Sequence, residues 1–228
     1  MSYEMMENNK VFLTGTVASQ ATFSHEVFGE GFYELALSVK RLSDHSDIIP
    51  ITISERLLSK EQFAIGQQVS IKGQFRSYNK IVEDKSKLML TVFVREIVDL
   101  DPSVNPNIIE LSGYICKPPI YRTTPFKREI CDVLLAVNRA YNKSDYLPCI
   151  AWGRNARFIK NAQVGQKVFL SGRIQSREYQ KKISEEENLT KTAYEISISK
   201  VSFGEEEQLV EKLNASDILT QYDIAEDI

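Results

Sequence analysis

Two segments in the second half of this 228-residue chain carry aromatic or basic side chains at alternate positions. Over residues 146–152, Tyr146 and Trp152 fall on one face of a predicted strand, because successive side chains point to opposite faces. The other face, with Leu147, Cys149 and Ala151, is small and apolar and is typical of an interior. Exposed rings beside cations can stack on unpaired bases while the cations follow the phosphates. The pattern therefore indicates a surface for single-stranded nucleic acid.

The next predicted strand extends this surface, since Arg173, Arg177 and Tyr179 share one parity along it. Tyr141 follows Arg139 in a predicted hairpin, where a binding loop is expected. We interpret the rings as base-stacking residues and the cations as phosphate contacts. The predicted set is Tyr146, Trp152, Tyr179, Tyr141, Arg139, Lys143, Arg154, Arg173 and Arg177. The alternatives are rings buried against another barrel or subunit, and cations that are merely solvated.

The charge is unevenly distributed, although the whole chain carries a net charge of only −3. Residues 1–104 have 11 Lys and Arg against 14 Asp and Glu. Residues 105–203 have 16 against 9, a net charge of +7, and residues 204–228 have 1 against 8, a net charge of −7. The basic segment predicts a site for a polyanion in the second half of the chain.

Other chemistries find little support in the sequence. The two histidines, His25 and His45, leave little room for a His-based catalytic centre. Cys116, Cys131 and Cys149 lack the spacing of a disulfide framework or a zinc site, and we interpret them as small apolar fillers. The apolar runs are far shorter than the roughly 18 residues of a membrane span. We expect a cytoplasmic protein that is not an enzyme and needs no cofactor, metal or membrane.

The chain matches itself at an offset of 98 residues. Residues 34–54 (ELALSVKRLSDHSDIIPITIS) align with residues 132–152 (DVLLAVNRAYNKSDYLPCIAW). The identical pairs are Leu37/Leu135, Val39/Val137, Arg41/Arg139, Ser46/Ser144, Asp47/Asp145 and Pro50/Pro148. After a slip of one residue, residues 65–77 match residues 164–176. These blocks indicate a tandem duplication, and we refer to its halves as the first copy and the second copy.

Each copy has five short runs rich in Val, Ile, Leu and Phe, and one short helix is predicted between the third and fourth run, at 55–63 and 154–161. This all-β layout is that of the OB-fold, a five-stranded Greek-key barrel. The predicted domains are a first OB-fold at 1–104, a second OB-fold at 105–203 and an acidic tail at 204–228. Glycines inside the strand patterns predict bulges or sharp bends; they are Gly15, Gly73, Gly113 and Gly172.

The loop between the first two strands of an OB-fold borders its binding groove. In the second copy this loop carries further cations. We therefore add Arg122, Lys127 and Arg128 to the predicted nucleic-acid contacts.

The second copy resembles the bacterial single-stranded-DNA-binding proteins over most of residues 107–203. The resemblance is carried by NIIELSGYICKPPIYR (107–122), CDVLLAVNRAYNKSDYLPCIAWGRNA (131–156) and VGQKVFLSGRIQSREY (164–179). In that family the positions matched by Tyr146, Trp152 and Tyr179 bear base-stacking aromatics. The resemblance implies binding of single-stranded DNA with little sequence specificity, during replication, recombination or repair and in association with the nucleoid.

The resemblance also implies partners. Members of the family generally present four OB-folds per functional unit, so a chain with two implies a homodimer. An acidic, hydrophobic C-terminal tip recruits replication and repair proteins in the family, which implies a partner site at Asp223, Glu226, Asp227 and Ile228. This chain departs from the family in carrying two copies, in lacking the glycine- and proline-rich stretch before the tip, and in ending with Ile rather than Phe.

The first copy lacks the aromatic set of the second. The replacements are Ile48 for Tyr146, Ser54 for Trp152 and Ser43 for Tyr141. We expect the first copy to serve a structural or oligomerisation role through an apolar face at Ile48 and Pro50, or to bind DNA weakly. An alternative for the whole chain is a primosome-like accessory protein or an RNA-binding OB-fold protein that acts mainly through protein partners.

Overall fold

The computed structural model describes residues 7–41, 43, 45–59, 62–82, 85–99, 107–182 and 188–204, and β strands dominate these ranges. The strands of the first copy are β1 (Asn9–Val17), β2 (Thr22–Val27), β3 (Glu30–Lys40), β4 (Ser46–Ser54), β5 (Gln68–Val82) and β6 (Lys85–Val98). The second copy contains β7 (Asn107–Ile115), β8 (Ile120–Thr123), β9 (Glu129–Asn138), β10 (Ser144–Trp152), helix α1 (Gly153–Ile159), β11 (Lys167–Lys182) and β12 (Asn188–Phe203). The tail residues Asp223, Glu226, Asp227 and Ile228 lie outside the described residues.

All twelve strands belong to one sheet, in the order β2-β3-β4-β6-β5-β1-β7-β11-β12-β10-β9-β8. Strands β1 to β6 of the first copy correspond in order to β7 to β12 of the second copy. When each strand is replaced by its counterpart, the strand order reads the same from either end, as expected for a tandem duplication. Each half closes on itself, because β1 also pairs with β3 and β7 also pairs with β9. The chain is therefore all-β, with two OB barrels that join through antiparallel β1 and β7, where Val11 lies opposite Ile109.

Alternate residues of the strands fill the interior of each barrel. In β10, Leu147, Cys149 and Ala151 are all buried, which confirms the face predicted from strand alternation. Burial raises the pKa of the Cys131 thiol to about 11 and also raises the pKa of Cys149. Both thiols therefore stay protonated at neutral pH, in agreement with their interpretation as apolar fillers.

Two of the predicted glycine bulges are confirmed, at Gly73 and Gly172. The pairing of β5 with β6 shifts register at Gly73, and the pairing of β11 with β12 shifts at Gly172. A Cβ atom at either glycine would overlap the carbonyl oxygen of the facing strand, at Phe93 or Ser197. Only glycine permits these two backbones to approach so closely, and the bulges give the long hairpins their bend.

In the part of each copy that the structure describes, there is one more strand than the five predicted. Strands β2 and β8 lie in the segment between the first two predicted strands and pair with β3 and β9. Arg122, expected in a loop, therefore lies in strand β8, opposite Ile130. Lys127 and Arg128 do lie in the connection, the turn between β8 and β9.

The two copies differ in the predicted helix. In the second copy, α1 confirms it, and Ala156 and Ile159 of this helix are fully buried. The described residues of 55–63 in the first copy form turns instead, in which the Ser54 carbonyl accepts hydrogen bonds from the amides of Leu57 and Leu58. Short helices depend on packing of an apolar face. Leu57 and Leu58 are half-buried in this turn, whereas the helix of the second copy buries Ala156 and Ile159 completely.

The described residues lack the features of a membrane span made of helix and of a metal site. No helix there is long and apolar enough to cross a membrane. The same part of the chain contains no group of three or more His, Cys, Asp or Glu side chains that could hold a metal ion.

Candidate nucleic-acid interface

Four predicted stacking residues are exposed on the second barrel. Tyr146 and Trp152 lie near the two ends of β10 with exposed fractions of 47% and 39%, and Tyr179 on β11 is 40% exposed. Tyr141 is 79% exposed in the turn between β9 and β10, where its φ of 60° places it in the left-handed region. Rings that are half-exposed on a rigid strand can each offer one face to a base without rearrangement.

Strand register brings several of these residues onto one outer face. Ile150 of β10 lies opposite Ser197 of β12, and Ser197 lies opposite Arg173 of β11. Farther along the β11–β12 hairpin, Arg177 pairs with Ala193 and Tyr179 pairs with Lys191. The face therefore runs from Trp152 across three strands toward Tyr179. The predicted cations of β11 lie between the two rings.

The predicted cations of the second copy differ in their exposure and in their distance from acidic side chains. Arg177 is exposed and its Nε lies 3.8 Å from Glu195, while the Gln175 amide donates to the same carboxylate at 2.8 Å. Arg154 and Lys143 are exposed, and Arg173 is half-buried. Arg154 follows Trp152 closely in the chain, at the start of α1. The outer face thus combines rings with cations that can reach a phosphate.

Side chains in and beside strand β8 form ion pairs and hydrogen bonds that the sequence does not reveal. The Arg122 Nε donates to Asp132 at 2.8 Å, and this hydrogen bond raises the pKa of the guanidinium. The Tyr121 hydroxyl donates to Glu129, which also pairs with Arg157, and the bond to Glu129 raises the pKa of Tyr121. Arg122 therefore already has an anionic partner. Lys127 and Arg128 are exposed in the adjoining turn.

Arg139 lies at the junction of the two copies rather than on the outer face of β10. Its Nη1 is 3.4 Å from the buried carboxylate of Asp145, which also accepts from Arg76 of the first copy at 3.1 Å. The same carboxylate accepts the Ser77 amide at 2.7 Å, and the Ser77 hydroxyl accepts the Tyr146 amide at 2.7 Å. Arg139 is thus one of two guanidinium groups that share one carboxylate.

A second junction, related to the first by the duplication, forms around Asp47. Its carboxylate accepts the Ser176 amide at 2.7 Å and two hydrogen bonds from Arg41, at 2.6 and 2.9 Å. The Ile48 amide donates to the Ser176 hydroxyl at 3.2 Å. We call the contacts around Asp47 and Asp145 the Asp47 junction and the Asp145 junction.

Sequence reasoning missed the role of these junction residues. The signal was present, because Arg41/Arg139 and Asp47/Asp145 are identical pairs in the repeat and Ser77 aligns with Ser176. Polar residues that are identical in the two copies of a duplicated chain indicate a contact that both copies make. Arg76 carries no such signal, since the aligned residue of the second copy is Gln175.

The first barrel presents a different outer face. Ile48 is 43% exposed, Ser54 is buried, and Tyr78, near the position of Tyr179, is 37% exposed. The Tyr78 hydroxyl donates to Glu34 at 3.1 Å, and burial together with this carboxylate raises the pKa of Tyr78 to about 12. Tyr78 is therefore engaged in a hydrogen bond within the first copy.

The chain has two closed OB barrels, and one of them carries a face of exposed rings and cations. This architecture defines a protein with tandem OB-folds. Residues 106–204 match the Single-strand binding protein family. The chain is 35% identical over 81 residues to Single-stranded DNA-binding protein B of Bacillus subtilis (strain 168), a match that covers 32% of this chain and 72% of that protein. The chain belongs to the single-strand binding protein family.

Other relatives agree with this assignment. Over 81 residues the chain is 33% identical to Single-stranded DNA-binding protein 1 of Staphylococcus aureus (strain COL), a match that covers 32% of this chain and 48% of that protein. The chain thus spans about half the length of the first of its curated relatives. The crystal structure of the wild-type single-stranded DNA binding protein from Thermus aquaticus has a TM-score of 0.65 and 18% identity, covering 87% of this chain and 93% of that chain. At this identity the likeness concerns the fold alone.

Proposed function

We propose that this protein binds single-stranded DNA with little sequence specificity, mainly through the second OB barrel. The observation that supports this most directly is the outer face on which Tyr146, Trp152 and Tyr179 remain exposed beside Arg177. Every base has a flat π face, so stacking on such rings tolerates any sequence. Each stacked base contributes about 1–3 kcal/mol, and three or four rings are enough for useful affinity.

The cations supply the second component of binding. The exposed side chains of Arg154, Lys143 and Arg177 would neutralise phosphates and release counterions, which makes affinity depend on salt. The net charge of +7 over residues 105–203 would add long-range attraction to the strand. Lys127 and Arg128 would extend the same role at the edge of the groove, whereas Arg122 would first have to exchange its bond to Asp132.

We assign different roles to the two copies. The second OB-fold, at 105–203, is the main DNA-binding domain, and the first, at 1–104, is a structural or oligomerisation domain. Two chains would then assemble into a homodimer with four barrels, in which the exposed side chain of Ile48 provides part of the contact. Light scattering tests this assembly, because a concentration-independent mass near 26.0 kDa would exclude the dimer.

The acidic tail supplies a site for protein partners in this proposal. Residues 204–228 carry a net charge of −7, and the tip with Asp223, Glu226, Asp227 and Ile228 combines acidic and apolar groups. We propose that the partners are replication and repair proteins. We also propose that the protein acts in the cytoplasm, in association with the nucleoid. A pull-down with the full chain and with a chain lacking 223–228 tests the tip, since the truncated chain should lose these partners.

The function is tested by titrating fluorescently labelled oligo(dT) with the full chain and following anisotropy. We expect saturable binding of single strands, with competition by mixed-sequence DNA and weak binding of duplex. Oligo(rU) of the same length tests the alternative of an RNA-binding protein, which requires tighter binding of RNA than of DNA. The absence of any single-strand binding at low salt would contradict the proposal and would favour an accessory protein that acts through partners.

A further inference from the structure

Three arginines converge at the Asp145 junction, two from the first copy and one from the second. Arg76 and Arg139 both approach the carboxylate of Asp145, at 3.1 and 3.4 Å. Arg95 lies beside them, since its guanidinium and that of Arg76 both donate to the Gln74 side chain. We call Arg76, Arg95 and Arg139 the arginine triad. Among these residues, Asp145 is a single negative charge against three positive ones.

Two adjoining clefts meet at the arginine triad, and both are lined by all three of its members. One cleft, of about 300 Å³, continues into the second copy, where Tyr141 and Lys143 line it. The other, of about 550 Å³, continues over the first copy, where its lining includes Phe93. The Arg95 guanidinium lies over the Phe93 ring, 5.0 Å from its centroid. The triad is thus common to two clefts, one lined mainly by the first copy and one lined also by the second.

Over the described residues, the related Asp47 junction has no such charge excess. The position of Arg76 is taken by Gln175, whose amide bonds to Glu195, and the position of Arg95 on the bulged strand is taken by Ser199. Arg41, the repeat of Arg139, makes two hydrogen bonds to Asp47 and so is neutralised by it. The two junctions are related by the duplication, and the excess of arginines belongs to the Asp145 junction.

The geometry points to a phosphate-binding site at the arginine triad, which takes a backbone phosphate of the same single strand that the second copy binds, as the strand crosses onto the first copy. A guanidinium presents paired donors that match phosphate oxygens, and three of them around one cleft fit an anion better than any neutral ligand. Burial and the charge of Arg139 lower the pKa of Arg76, against the opposing effect of Asp145. This inference rests on the proposed function and extends it to the first copy.

Arg95→Gln is the variant that tests the site, because Arg95 is exposed and is not bonded to Asp145. Lys72→Gln is a matched control: Lys72 also belongs to the first copy, is exposed, and lies 3.8 Å from Glu96 outside both clefts. Binding of the full chain to dT oligomers from about 8 to about 35 nucleotides is measured at several salt concentrations. The range is chosen because one OB-fold occupies roughly 4–16 nucleotides.

We expect Arg95→Gln to bind the shortest oligomers as the unaltered chain does. With the longest oligomers, its plot of log affinity against log salt should be flatter by about 0.7, the value for one phosphate contact. Between about 50 and about 200 mM salt, the affinity of the variant should therefore fall by a factor about threefold smaller than that of the unaltered chain. Lys72→Gln should match the unaltered chain at every length.

Two outcomes would overturn the site, and they can be told apart. If Arg95→Gln and Lys72→Gln give the same slopes at all lengths while the unaltered chain binds DNA, the site is wrong and the proposed function stands. If the unaltered chain binds no single strand of any length, the site and the proposed function fail together.

Discussion

The two barrels of this chain share a backbone and differ in what they expose. The first copy has a net charge of −3 over residues 1–104, and the second has +7 over residues 105–203. Where the second presents Tyr146 and Trp152 at the ends of a strand, the first has Ile48 and Ser54. The two copies share an apolar interior and the Arg–Asp pair of each junction, while their outer faces differ. Divergence on a conserved scaffold is how one fold acquires two roles.

The two junctions also differ, in the number of arginines around the central carboxylate. At the Asp47 junction, the carboxylate and Arg41 form a balanced pair. At the Asp145 junction, the carboxylate is shared between Arg76 and Arg139, and Arg95 adds a further charge nearby. The net charge of a copy therefore conceals where its cations lie, because the acidic first copy supplies two of the three arginines in the triad.

The largest expected effect is on stability, and it compares the two junctions. Asp145→Asn leaves Arg76, whose side chain is only 16% exposed, without a counter-charge, and should lower the free energy of unfolding by about 3 kcal/mol. Asp47→Asn should cost roughly 1–2 kcal/mol, because Arg41 is more exposed and can be solvated. Urea denaturation of both variants measures the difference. Equal losses would mean that the junctions are energetically equivalent despite their different charges.

The next effect separates the outer faces of the two barrels. Trp152→Ala should weaken binding of oligo(dT) by about 1–3 kcal/mol, or about 5- to 150-fold in Kd, because one stacking ring is lost. Ser54→Ala, at the aligned position of the first copy, is the matched control and should leave Kd unchanged. Anisotropy titrations at one salt concentration measure both. A larger effect of Ser54→Ala than of Trp152→Ala would reverse the roles proposed for the copies.

A smaller effect distinguishes rings from cations within the second copy. Arg154→Gln should flatten the dependence of log affinity on log salt by about 0.7, since one phosphate contact is removed. Tyr146→Ala should weaken binding at every salt concentration with little change of slope, because stacking releases no counterions. The measurement is a salt series for each variant. Unchanged slope for Arg154→Gln together with a flatter slope for Tyr146→Ala would contradict the assignment.

The smallest effect concerns Tyr78, the tyrosine that the first copy engages internally. Because its pKa is raised to about 12, the folded protein holds the phenolic proton more tightly than the unfolded chain, whose tyrosines titrate near pH 10. This contribution to stability is complete below about pH 10 and is lost as the pH rises through about 12. Tyr78→Phe should therefore show a shallower loss of stability over that interval in denaturant titrations. An identical alkaline profile would contradict the raised pKa of Tyr78, which burial and the nearby Glu34 together produce.

Much of the fold follows from the sequence, because the signals are local. Strand alternation predicts that Leu147, Cys149 and Ala151 face the interior, and the repeat predicts two similar barrels; both predictions are confirmed. The helix at 55–63 is wrong over the described residues, because its formation depends on packing that local pattern does not reveal. The added strands β2 and β8 likewise depend on pairing partners distant in the chain.

The site is less accessible to sequence reasoning than the fold. Exposure of Tyr146, Trp152 and Tyr179 agrees with the prediction, since one strand fixes the direction of each side chain. The engagement of Arg122 by Asp132 and of Arg139 by Asp145 is not visible in the sequence, because each pair forms only after strands align. Arg76 and Arg95 escape notice altogether, as they belong to a copy whose overall charge is negative.

The central claim, that single-stranded DNA stacks on the second barrel, is tested most directly by the fluorescence of the chain itself. Trp152 is the only tryptophan, and its ring is 39% exposed on the proposed binding face. Titration of the full chain with oligo(dT) should quench its emission along the same curve as the anisotropy of a labelled oligomer, because both report one binding event. An emission spectrum that stays unchanged when anisotropy shows saturation would place the strand away from Trp152 and would contradict the claim.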